Sequence, residues 1–170
     1  MALYLIANGA MPTTAAFATV TTGTAIKTML QVKPSATIIA RIREWGISFD
    51  ALALATPGKI ELIETDVAAT VTASVANDIT KLDSDALIGG DPTTNLIQVG
   101  TAATGYTASA EGTITAIRNL DAPQFIEPIG NFVKQFPLGA APVIQINKFA
   151  RIRVTFTAAV NCYCYMIVEV

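Results

Sequence analysis

The sequence predicts an all-β fold: an antiparallel β-sandwich of jelly-roll-like plan, with one short helix and one long loop. Three observations carry this. Side chains alternate with period two through most of the chain, and turn signals recur roughly every 8 to 15 residues. The strand–helix alternation that a parallel α/β sheet requires is absent. Residues 24–170 read as a single domain, interrupted by an irregular loop at about 78–112. Residues 1–23 read as an N-terminal arm or a first strand.

The elements follow in order. Thr24–Lys33 alternates loosely and stops at Pro34, as a strand does. Thr37–Phe49 alternates better, with Ile38, Ala40, Ile42 and Glu44 on one face and Ile39, Arg41, Arg43 and Trp45 on the other. Gly46 is the expected bulge, after which Ile47 and Phe49 become the apolar positions. Lys59–Glu64 is a short strand entered from a Pro57-Gly58 turn. Asp66–Asn77 differs: Val67, Val71 and Val75 fall at helical spacing with Asp66 as N-cap, which predicts the short helix. Gly89-Gly90-Asp91-Pro92 is a turn, Asn95–Val99 a possible short strand, and 100–112 a small, polar stretch. Strands return at Thr113–Leu120, Phe132–Phe136, Pro142–Ile146, Phe149–Phe156 and Asn161–Val170, the last two joined by a hairpin at Ala158–Asn161.

Composition narrows the function classes. The 170 residues include 11 basic and 13 acidic side chains and no histidine, giving a net charge of −2. Near-neutral charge disfavours nucleic acid, whose binding needs many Lys and Arg contacts to phosphate. Without histidine, Ser-His-Asp and Cys-His mechanisms are excluded within this chain. Charged residues make up 14% and hydrophobic ones 52%, with 28 alanines and 22 threonines. So apolar and so weakly charged a chain is expected to hide surface against other chains. No apolar run reaches the roughly 18 residues of a spanning helix, so no membrane partner is expected. The start lacks the basic region of a signal peptide, and folding in the cytoplasm is expected.

No constellation points to chemistry. Cys162 and Cys164 stand two apart on one strand face, about 6.6 Å between Cα atoms, which predicts two buried free thiols. No histidine or further cysteine completes a metal shell. Asp83-Ser84-Asp85 lacks the glycine and glutamate of a calcium loop. Gly89–Thr94 lacks the Gly-Lys-Ser/Thr end of a phosphate cradle. No cofactor is expected. Arg41 with Arg43, and Arg151 with Arg153, each form an i, i+2 pair on a strand face. If those strands were neighbours, the four would form one patch. It would be either a solvated face with local carboxylates such as Glu61 or a docking site for an acidic protein surface. The larger aromatics, Trp45, Phe125, Phe132, Phe136, Tyr163 and Tyr165, are expected mostly in the core.

Two stretches together resemble a known group. One is Arg41-Ile-Arg-Glu-Trp-Gly-Ile-Ser-Phe-Asp with Lys59-Ile-Glu-Leu-Ile-Glu-Thr-Asp and the run Val67–Ala73. The other is Phe132-Val-Lys-Gln-Phe-Pro-Leu-Gly with Phe149-Ala-Arg-Ile-Arg-Val-Thr and the Asn-Cys-Tyr-Cys-Tyr end. Over roughly residues 24–170 this is similar to the head decoration (cement, or minor capsid) proteins of tailed bacteriophages. The resemblance implies a structural virion protein on the outer capsid surface, a β-rich and often jelly-roll body, frequently a homotrimer, bridging major capsid protein subunits. It carries over no functional residue. On this reading Arg41, Arg43, Arg151 and Arg153 are candidate capsid-docking residues, and the apolar Met1–Val20 stretch is a candidate arm. The alternative is a carbohydrate- or receptor-binding β-sandwich module of a phage tail or fibre, for which Tyr106 and the Asn77/Asp78 region are the weak offers. An enzyme is not expected.

Overall fold

The computed structural model describes residues 2–50, 56–82 and 96–170. In chain order the strands are β1 (Leu3–Ala7), β2 (Val20–Thr21), β3 (Ile26–Val32), β4 (Ala40–Asp50), β5 (Gly58–Thr65), β6 (Thr70–Ala73), β7 (Ile79–Lys81), β8 (Gly105–Ala110), β9 (Ile117–Asn119), β10 (Gln124–Ile126), β11 (Asn131–Gln135), β12 (Val143–Ile144), β13 (Phe149–Thr155) and β14 (Asn161–Glu169). They form two seven-stranded sheets, and every pairing between these strands is antiparallel. The first sheet runs β11-β4-β14-β1-β7, with β12 also on β4 and β2 on β14. The second runs β10-β5-β13-β3-β8-β6, with β9 also on β5. The antiparallel sandwich expected from period-two patterning is what forms.

The core lies between the sheets. From the first come Tyr4, Ile6, Ile42, Trp45, Ile47 and the β14 row Cys162, Cys164, Met166 and Val168. From the second come Leu30, Val32, Ile60, Leu62, Ala150, Ile152 and Val154. Phe49 and Phe156 meet across the layers edge to face, 4.9 Å between ring centres. Because alternate residues of each strand point inward, one strand supplies an unbroken apolar row while its other face meets water. No helix among the described residues is long and apolar enough to cross a membrane.

Several expectations are corrected. The helix predicted over Asp66–Asn77 is strand β6 followed by a 3-10 turn at Ala76–Asp78. Of its valine stripe only Val71 is buried, and Val75 is 57% exposed. The β-branched run Thr70-Val71-Thr72 instead pairs with β8, and Val71 packs with Ala69 and Ala108. The bulge in β4 falls at Arg43, where the β14 register slips between Ile167 and Val168, and not at Gly46. Gly46 has a different use: a Cβ there would lie 2.6 Å from the Tyr165 ring, so glycine makes room for that ring.

The link at 158–161 is no hairpin, because β13 and β14 belong to different sheets and the chain crosses between layers there. The stretch read as an arm or a first strand begins with strand β1, which lies between β14 and β7 with Tyr4, Ile6 and Ala7 buried. Only residues 8–19 leave the sheets. Phe17 anchors them edge-on against Tyr163, at 4.7 Å. The Gly89–Pro92 turn and Asp83-Ser84-Asp85 lie outside the described residues, as does the first residue of the Asn95–Val99 strand. Within that last stretch Ile97 bridges Pro34 and Val99 bridges Thr104.

Candidate interaction surface

The four arginines do not form one patch, because β4 and β13 lie in different sheets. Arg41 is exposed on β4, and Arg43 pairs with the buried Glu169. Arg153 Nε donates to Glu61 Oε1 at 2.6 Å, and Lys59 Nζ reaches the same carboxylate at 3.0 Å. Arg151 is fully buried. Its Nη1 donates to the Glu111 carbonyl at 3.1 Å and to Glu111 Oε2 at 3.3 Å, and its Nη2 donates to the Val67 carbonyl. Burial pushes the Arg151 guanidinium below its ordinary value, and the Glu111 charge opposes that shift.

Glu111, which the sequence reading passed over, organises this outer face. Its carboxylate also accepts from the Thr28 amide (2.5 Å) and hydroxyl (2.6 Å). Beside it, the buried Gln31 donates to the Ala103 carbonyl at 2.6 Å and accepts from the Ala69 amide at 2.8 Å. Polar side chains of β3 and β13 thus hold Val67, Ala69, Ala103 and Glu111, the segments that flank β6 and β8. Each buried polar atom that finds a partner avoids a desolvation cost of about 1–3 kcal/mol. Arg151 is therefore a bolt inside the protein, and Arg41 alone of the four stands exposed.

A different region has the character of an interaction surface. Residues 117–146 wrap one side of the sandwich: β9 and β10 lie on β5, and β11 and β12 lie on β4. Three of their four charged side chains are tied to partners, and Glu127 is exposed. Asp121 Oδ2 accepts from the buried Trp45 indole at 3.0 Å, and Asp121 Oδ1 accepts from Lys134 Nζ at 2.5 Å. Arg118 pairs with the buried Glu64 at 2.9 Å, and Glu64 also accepts the Gln145 amide at 2.8 Å. Large apolar side chains face outward among them: Leu138 is 89% exposed and Phe125 81%, with Ile117, Ile129, Val133 and Ile146 also exposed. Phe125 therefore departs from the expected aromatic core, whereas Trp45 sits at its centre against Phe132, 4.9 Å between rings. The missed signal was the density of prolines in this stretch (Pro123, Pro128, Pro137 and Pro142), which keeps its strands short and at the sheet edges.

The remaining candidates are structural. Cys162 and Cys164 are free and buried, as the sequence predicts, and burial pushes the Cys164 thiol well up. The Asn8 amide clamps their strand, donating to the Cys162 carbonyl at 3.3 Å and accepting from the Cys164 amide at 3.0 Å. Tyr106 packs against the core, and the buried Asp78 accepts from the Val75 amide at 3.0 Å to close its turn. Among the described residues no three His, Cys, Asp or Glu side chains converge on a metal position.

Compared with family models, with curated proteins and with solved structures, the chain matches none.

Proposed function

We propose that this is a structural assembly protein that cements the capsid of a tailed bacteriophage, bridging major capsid subunits from the outside. One observation carries the reading: within residues 117–146, Arg118, Asp121 and Lys134 are tied to partners in the sandwich, while Ile117, Phe125 and Ile146 stand exposed. Exposed apolar side chains of this kind mark a protein interface. The resemblance of residues 24–170 to head decoration proteins supports the same reading.

A cement needs no catalytic group. It binds the assembled shell better than loose subunits, so mass action favours the closed shell, and many copies multiply modest contacts. The alternative, a glycan-binding module, loses its support where Tyr106 and Asp78 are engaged in packing and turn closure.

The test is co-sedimentation of purified protein with capsids of its own phage that lack it, followed by a heat challenge. Saturable binding that raises the temperature of shell disruption is expected, and Phe125→Asp and Ile117→Asp weaken it. Shells that neither bind the protein nor gain stability overturn the reading.

A further inference from the structure

We propose that β11 is a self-complementary edge through which two copies of this chain join their first sheets into one continuous sheet. The inference stands on the strand itself and does not rest on the cement reading.

Among the described residues β11 is an outer strand, paired only with β4. The Phe49 amide donates to the Gly130 carbonyl, and the Phe136 amide donates to the Arg43 carbonyl. These bonds set the phase of the ladder. The main-chain groups of Phe132 and Lys134 turn toward β4, and those of Asn131, Val133 and Gln135 turn outward. Among the described residues none bonds the outward groups. All three of these residues are exposed, Val133 by 56%.

Natural edges are usually protected by charge. The charge here, Lys134, points inward and is neutralised by Asp121, so the outward row Asn131, Val133, Gln135 carries none. The one carboxylate beside the row, Glu44, already accepts from Gln135 Nε2 at 2.6 Å, so the row offers a charged partner little and a second copy fits it.

A two-fold axis through Val133 sets Val133 against Val133 of the second copy, and Asn131 against its Gln135. All three outward positions then become hydrogen-bonded pairs, giving about six main-chain bonds. Continuing the same register brings Ile129 of one copy to Pro137 and Leu138 of the other. The exposed Ile129 and Leu138 that flank the strand are covered by the same operation. The contact is isologous and closes at two copies.

The test uses the full chain. Light scattering is expected to give twice the 17.8 kDa chain mass. Val133→Pro removes an amide that β4 does not use, and Val133→Lys places a charge at the axis; each is expected to halve the mass with the fold retained. In oxidising buffer Val133→Cys is expected to form a covalent dimer, because paired Cα atoms about 5.5 Å apart suit a disulfide. Gln135→Cys, whose two copies lie roughly 14 Å apart in this register, is expected to remain uncrosslinked. A monomer at high concentration overturns the proposal. So does an oligomer, a trimer included, whose mass neither Val133 substitution changes, or crosslinking by Gln135→Cys equal to that by Val133→Cys.

Discussion

The indole N–H of Trp45, at the centre of the core, donates to Asp121 Oδ2 at 3.0 Å, and Lys134 Nζ holds the other oxygen of that carboxylate at 2.5 Å. One carboxylate thus ties the edge strand β11 and the β9–β10 link to the middle of the sandwich. Asp121→Ala leaves a buried donor without an acceptor and Lys134 without its counter-charge. It is expected to cost about 2–4 kcal/mol, read from the urea midpoint. Asp121→Asn keeps an acceptor for the indole and is expected to cost less.

Glu111 and Arg151 form the second lock. Glu111→Ala strands a buried guanidinium and is expected to destabilise the fold by about 3–5 kcal/mol. Combining it with Arg151→Met removes the stranded charge, so the double variant is expected to be more stable than Glu111→Ala alone. A double-mutant cycle in denaturant checks this, and simple additivity of the two losses would argue against a coupled pair.

At Gly46 an added Cβ would sit 2.6 Å from Tyr165 Cε1. Gly46→Ala is expected to cost about 1–3 kcal/mol through overpacking. Tyr165→Ala in the same chain relieves the clash, so thermal denaturation of the pair is expected to show rescue of the Gly46 effect.

Asp66, half-buried, closes the 66–116 loop, accepting from the Thr115 hydroxyl, the Thr115 amide (3.2 Å) and the Ala116 amide (3.0 Å). The Thr115 hydroxyl and then the Ala116 amide hold its carboxyl down at about 2, against an ordinary 3.8. A folded-state value below the unfolded one adds stability that is present above about 4 and is lost as pH falls toward about 2. The stability difference between wild type and Asp66→Asn is expected to be constant near neutrality and to vanish across that acid window. A gap that persists unchanged at pH 2 would contradict the assignment.

Legibility followed burial on one face. β4, β5, β13 and β14 could be read because each packs one side on the core, so their alternation appears in the residue types. β8, built of Gly, Tyr, Thr, Ala and Ser, shows little hydrophobic contrast and went unseen. Its place comes from partners in β3 and β6, and from Gly105, where an added Cβ would meet the Thr72 carbonyl at 2.4 Å. The apolar residues of β1 follow one another without polar interruption, so an arm and a first strand read alike there, and its seat between β14 and β7 decides for the strand. The false helix at 66–77 arose because valines four apart satisfy helical and strand spacing alike, and pairing with β8 decided between them.

The sequence by itself determined the fold class, the buried thiol row and the scarcity of charge, since each follows from residue type and period. Only the tertiary structure decided which sheet each strand joins. That choice separated the four arginines, buried Arg151 beside Glu111 and left Ile117, Phe125, Ile129, Val133, Leu138 and Ile146 exposed. The physical reason is that period two specifies which face of a strand is apolar, whereas neighbours across the sheets are set by long-range pairing that leaves no local trace.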